Sequence, residues 1–129
     1  MPEDAESPVV RILLVDDNAG FRQRLARFLQ LHHDLMVVGE AVDGDEALAR
    51  VRELQPDVVL IDFRMARLDG LTAGRTITQE FPHIKVFMLT AFPGALDAEN
   101  VAKNGLAGLL IKDQPATEIL AAIRKSVRS

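Results

Sequence analysis

The stretch Val9-Val10-Arg11-Ile12-Leu13-Leu14-Val15-Asp16-Asp17 runs an almost unbroken apolar segment straight into two acids. Only Arg11 interrupts it. A strand with one wet face alternates apolar and polar residues, whereas a strand covered on both faces is apolar nearly throughout. Val9 to Val15 therefore reads as a buried strand of a parallel sheet. Four further runs repeat the pattern: Leu35 to Ala41, Val58 to Ile61, Lys85 to Leu89 and Ala107 to Ile111. Residues able to do chemistry follow four of the five runs. The first is followed by Asp16 and Asp17, the third by Asp62, the fourth by Thr90 and the fifth by Lys112.

Helical patterns fill the intervals. Asn18 caps a helix through about Gln30, with Phe21, Leu25, Phe28 and Leu29 at helical spacing. Asp43 and Glu46 resemble a capping box with Asp in place of Ser or Thr. The helix behind them carries Ala47, Leu48, Val51 and Leu54, and Pro56 closes it. Leu71 to Phe81 gives a third helix. Pro93-Gly94 opens a loop before a weaker helical stretch, Leu96 to Lys103, with few buried anchors expected. Pro115 starts the last helix, whose inner face carries Ile119, Leu120 and Ile123. Strands alternating with helices imply parallel pairing through right-handed crossovers. The expected fold is α/β, a doubly wound five-stranded parallel sheet in the flavodoxin-like order 2-1-3-4-5, with helices on both faces.

At 129 residues the chain suits one domain, expected over 9–129 behind a flexible acidic tail, residues 1–8. Hydrophobic residues at 48% supply an ordinary core. With no cysteine, disulfides, thiolate metal sites and cysteine nucleophiles are excluded. A net charge of −4 and the lack of a basic run argue against direct grip on nucleic acid. No apolar stretch reaches the roughly 20 residues that cross a bilayer, and the tail lacks the apolar core of a secretory signal. The expected compartment is the cytoplasm.

In an open α/β sheet, ligands bind beyond the carboxyl ends of the strands. The proposed order brings Asp16, Asp17, Asp62, Thr90 and Lys112 to that one edge. Converging carboxylates repel unless neutralised, and a hard divalent cation such as Mg²⁺ does so through oxygen ligands. A lysine and a threonine hydroxyl suit a phosphoryl oxygen, one by charge and one by hydrogen bond. A carboxylate can itself be the nucleophile and become an acyl phosphate. The adjacent pair His32-His33 reads as solvent-facing residues at a helix end. Phe21, Phe28, Phe63 and Phe87 read as core, and Gly39 and Gly70 as turn or close-packing positions.

These residues, in the segments VRILLVDD, VVGEAVDGDEAL, PDVVLIDFRM, LDG, VFMLTA and LLIKD, resemble the receiver domains of two-component response regulators from about Val10 to Val127. The wording of VVGEA and of KD before a helix ending AIR resembles the subfamily that often carries a LuxR-type DNA-binding output domain. The resemblance implies Asp62 as phosphoacceptor and Mg²⁺ held by Asp17, Asp62 and the Arg64 backbone carbonyl, with Asp16 acting through water. Lys112 would pair with the phosphoryl group, and Thr90 would swing toward it and carry the signal. The implied donor is a sensor histidine kinase, and the implied output is control of transcription. DNA would be met only through an output domain outside this chain, and homodimerisation is one read-out. The chain would not be an enzyme beyond catalysing its own phosphorylation and dephosphorylation.

Two positions depart from the family pattern. Ala66 stands where proline usually stiffens the loop after the phosphoacceptor. Leu109 stands where an aromatic ring usually couples the threonine to the output face, so coupling is expected through the Phe92-Pro93-Gly94 loop and the helix after it. Phe92, two residues beyond Thr90, is expected to slow attack of water on the acyl phosphate. The competing readings are a non-phosphorylated receiver-like interaction module and a small-substrate phosphohydrolase. The haloacid-dehalogenase type of the latter expects a second acid two residues after the nucleophile, where this chain has Arg64.

Overall fold

Alternation in the strands divides the core between two faces of one sheet. The computed structural model describes residues 9–65, 68–92, 94 and 96–128. Its strands are β1 Val10–Val15, β2 Leu35–Ala41, β3 Val58–Asp62, β4 Lys85–Thr90 and β5 Gly108–Ile111, all parallel, in the order β2-β1-β3-β4-β5. Its helices are α1 Ala19–Leu29, α2 Gly44–Leu54, α3 Gly70–Glu80, α4 Ala98–Lys103 and α5 Ala116–Arg128. Ile12, Leu14, Leu60 and Leu89 point to one face, where Leu25 and Leu29 of α1 and Ile119 and Ile123 of α5 cover them. Leu13, Val15, Ile61 and Met88 point to the other, beneath Val51 of α2, Ile77 of α3 and Val101 of α4. Burial on both faces is why the strand sequences are continuous apolar runs.

The expected elements are present, and their ends shift by a residue or two, as ends do. Asp62 and Thr90 are the last residues of their strands rather than the first beyond them. Asn18 accepts the Phe21 N–H, as a helix cap should. Asp43 accepts the Glu46 N–H, while the Glu46 carboxylate reaches back to the Val42 N–H, one residue before the usual partner in a capping box.

Two expectations need correction. The stretch before β5 is well anchored: Leu96, Val101 and Leu106 are all buried. His32 is half-buried rather than solvent-facing. Its Nδ1 lies 3.1 Å from the Phe28 carbonyl oxygen and its ring meets the edge of Phe28, so it finishes the end of α1, while His33 is exposed. Phe87 is buried, and Phe21, Phe28 and Phe63 pack half-buried against the core. Ala66 lies outside the described residues.

Candidate functional site

Strand register sets the site. Val15 pairs with Ile61, so Asp16 falls level with Asp62 on the neighbouring strand. Asp62 pairs with Leu89, and Leu89 with Leu110. Thr90 and Lys112 thus sit one and two positions farther along, and the long lysine side chain reaches back over the edge. The Asp16 N–H continues the ladder to the Ala41 carbonyl at 3.0 Å, which fixes where the first acid emerges.

Lys112 Nζ lies 2.5 Å from Asp16 Oδ2 and 3.4 Å from Asp62 Oδ2. Asp16 Oδ1 accepts the Asn18 N–H at 2.9 Å, and Asp62 Oδ1 receives a long contact of 3.4 Å from the Arg64 N–H. Asp16 and Asp62 are buried, at 2% and 6% exposure, while Asp17 is open to water. Carboxylate oxygens of Asp16, Asp17 and Asp62 lie within 4.8 Å of one another. Burial pushes the Asp62 carboxyl above its ordinary pKa, and the neighbouring charge of Asp16 pushes the same way. Lys112 and the Arg64 N–H oppose them.

Among the described residues, Asp16 Oδ2 is the one buried side-chain polar atom with no hydrogen-bond partner. Its approach to Lys112 is a charge contact without hydrogen-bond geometry, so acceptor capacity is left over in the pocket. One leftover buried acceptor, three clustered carboxylates and a single lysine make a donor set that suits a hard, oxygen-seeking cation.

The Thr90 side chain is buried and turned to its own loop. Its hydroxyl accepts the Phe92 N–H at 3.0 Å and donates to the Phe92 carbonyl at 3.2 Å. Thus the structure brings Asp16, Asp17, Asp62 and Lys112 together, and leaves the Thr90 hydroxyl engaged beside them. Arg64 meets the site through its backbone N–H. Leu109 is half-buried against the core under α2, α3 and α4. Pro93, in the loop expected to carry coupling, lies outside the described residues.

Three contacts around the pocket were not legible in the sequence. The Arg64 guanidinium stacks 4.9 Å from the centre of the exposed Phe92 ring, spanning the β3 and β4 loops at the rim. Lys112 Nζ lies 4.7 Å over the Phe21 ring of α1. Arg22 binds the Asp16 carbonyl at 2.6 Å. Such pairs join residues far apart in the chain, and no spacing rule reports them. Gly70 shows the close packing expected of it: a Cβ there would collide with the Asp62 carbonyl.

Comparison with known proteins agrees with this geometry. The family model described as the response regulator receiver domain matches residues 12–124. The chain is 36% identical over 115 residues to the transcriptional regulatory protein LnrK of Bacillus subtilis, covering 89% of this chain and 52% of that protein. The signal receiver domain of the response regulator NarL from Mycobacterium tuberculosis superposes with a TM-score of 0.86 at 32% identity, covering 95% of this chain and 98% of that one. A LuxR-family two-component response regulator from Aurantimonas superposes with a TM-score of 0.87 at 29% identity, covering 93% of this chain and 86% of that one. The chain belongs to the response regulator receiver family, the receiver domain of two-component signalling, and relatives it matches are transcriptional regulators. It spans about half the length of the curated relatives it matches. Among the described residues, no helix is long and apolar enough to cross a membrane.

Proposed function

We propose that Asp62 accepts a phosphoryl group from a phosphohistidine of a sensor histidine kinase, in the cytoplasm, and that the chain thereby switches conformation to control an output, transcription in the relatives' manner. The observation that carries this reading is the juxtaposition of Asp16, Asp17, Asp62 and Lys112 at one edge of the sheet. A non-phosphorylated interaction module has no use for such a set, and degenerate pockets typically lose one of its members.

Mg²⁺ would be held by Asp17, Asp62 and the Arg64 carbonyl, with Asp16 through water, and would supply positive charge to the phosphoryl oxygens. An Asp62 carboxylate oxygen attacks phosphorus, the P–N bond to the donor imidazole breaks, and that ring leaves as a neutral base after protonation. The product is an acyl phosphate. Lys112 is the cation available to its oxygens, and it must loosen its hold on Asp16 to pair with them. The Thr90 hydroxyl offers a hydrogen bond when it turns from Phe92, which frees the Phe92 backbone. The phosphoryl group thereby favours one of two conformations by differential contacts. Hydrolysis of the acyl phosphate resets the switch, and DNA contact would belong to an output domain outside this chain.

Intact mass before and after incubation with acetyl phosphate tests the reading. One added phosphoryl group, dependent on Mg²⁺ and absent from Asp62→Ala, is expected. No adduct together with no binding of beryllofluoride would contradict it. The Arg64–Phe92 pair lies at the rim where water must approach, so Phe92→Ala should shorten the lifetime of the adduct several-fold. An unchanged lifetime would remove Phe92 from the account.

A further inference from the structure

We infer that Arg22 is a positioning residue for the acid pocket, with Glu40 as its anchor; this deepens, and rests on, the reading of that pocket as the Mg²⁺ and phosphoryl site. Arg22 follows the capping Asn18 by one turn of α1. Its Nη1 donates to the Asp16 carbonyl at 2.6 Å, and its Nε donates to Glu40 Oε1 at 2.5 Å. The Arg22 side chain is 13% exposed, so water competes poorly for its bond to the Asp16 carbonyl, while the Glu40 carboxylate at 39% keeps one side in water. A guanidinium holds its donors in one rigid plane, and fixing two of them fixes the whole group.

Topology makes the bond to Asp16 useful. β1 lies between β2 and β3. Asp16 and Asp17 leave the end of β1 with their carboxylates gathered beside Asp62 of β3. Glu40 belongs to β2, on the opposite side. Arg22 therefore braces the acid-bearing loop from β2 while its carboxylates face β3. The sequence shows Arg22 as one of several charges on an amphipathic helix, and only the fold shows it behind the site.

Charge and geometry predict opposite signs for its removal. As a mere nearby cation, Arg22 repels a divalent ion, and losing it should tighten binding. As a brace, losing it should weaken binding. The test is calorimetric titration of Mg²⁺ into the full chain and its Arg22→Met, Arg22→Lys and Glu40→Gln variants at neutral pH, with melting curves beside each. Arg22→Met and Arg22→Lys are expected to bind Mg²⁺ about tenfold more weakly, the usual loss when a group that orients metal ligands is removed. Glu40→Gln loses the charge that anchors Arg22 Nε and should weaken binding in the same direction, by less than the arginine variants do. A merely structural role would lower the melting temperature and leave the binding constant unmoved. Equal or tighter binding by Arg22→Met overturns the inference. So does Arg22→Lys binding as the unaltered chain does, because lysine keeps the charge without the fork, and this conservative variant carries the test should Arg22→Met not fold. If the unaltered chain itself binds no Mg²⁺, the reading of the pocket fails and the inference with it. A bound ion with unaffected variants removes only the role of Arg22.

Discussion

The two ends of the sheet carry charge in opposite ways. At the amino-terminal end, Asp34, Arg124, Arg11 and Asp57 all have partners and keep contact with water. Arg124 makes a two-point ion pair with Asp34, with both nitrogen–oxygen distances at 2.9 Å. That hydrogen bonding holds the Asp34 carboxyl below its ordinary pKa. Asp57 accepts the Arg11 N–H, and Arg11 itself reaches the Gln55 carbonyl. A cleft of about 360 Å³ opens there between Val10, His83, Lys85 and Val127, with no buried polar atom left unpartnered in it among the described residues. At the carboxyl-terminal end, two acids are buried with one lysine between them, and an acceptor has no partner. A cleft of about 510 Å³ also opens at this end, between Phe63, Arg64, Asp69 and Thr72, so volume does not tell the two ends apart and electrostatic conflict does. The conflict is the better guide to chemistry, because a buried acceptor left without a hydrogen bond in a crowded acid cluster is a place for a ligand to satisfy.

That contrast can be broken in graded ways. The largest effect should come from Gly70→Ala, since a methyl group there collides with the backbone of Asp62 and neither chain segment can move without disturbing β3. A loss of about 3 kcal/mol or more is expected from such overpacking, read as a fall in the urea midpoint. A midpoint near that of the unaltered chain would show the α3 start to be more yielding than its packing implies.

Lys112→Ala comes next. It leaves Asp16 and Asp62 buried without their counter-charge, which should cost roughly 1–3 kcal/mol at neutral pH in the presence of a chelator. Mg²⁺ should recover much of that loss, because on the proposed function the ion would bind the folded pocket and not the unfolded chain. Recovery by Mg²⁺ would sharpen the comparison, and a loss indifferent to Mg²⁺ would blunt it.

Asp62→Asn should act in the opposite direction and stabilise the metal-free chain at pH 7. Burial raises the folded-state pKa of Asp62 above its unfolded value. The protonated acid is therefore the form compatible with folding, and stability present below the unfolded pKa is lost as pH rises through the folded one. The advantage of the asparagine should thus be greatest at neutral pH and should vanish below about pH 4, near the ordinary carboxylate value. Melting curves across pH in chelator measure it, and an advantage that grows on acidification would refute the assignment of strain to this carboxylate. The smallest effect belongs to the other end: Arg124→Ala removes an exposed two-point ion pair, and at most a small fall in the urea midpoint at neutral pH is expected. A large fall there would mean that both ends rely on their ions alike.

Most of the fold was readable because burial on both faces writes itself as continuous apolar strands, and because Asn18, Asp43 and Pro115 mark helix starts. The site's members were readable for a related reason. Each of Asp16, Asp62, Thr90 and Lys112 stands at the end of an apolar run, so strand order alone brings them together. What escaped was what depends on side-chain reach across elements. The Arg22 brace, the Phe21 ring under Lys112 and the Arg64–Phe92 stack join residues with no common periodicity. His32 looked like half of an exposed pair because sequence could not show that α1 would end beneath its ring. The α4 stretch looked poorly anchored because Leu96, Val101 and Leu106 share no helical stripe, and Val101 is its one buried helical residue, the other two lying in the loops on either side.

The central claim is that the strained carboxylate of Asp62 is the atom group that takes the phosphoryl. Its most direct measurement is reduction of the phosphorylated chain with borohydride, which converts an aspartyl phosphate to homoserine, followed by peptide mapping. Homoserine at position 62, appearing only after treatment with acetyl phosphate and Mg²⁺, is the predicted result. Homoserine at Asp16 or Asp17, or none in a chain whose mass shows an added phosphoryl group, would contradict the account.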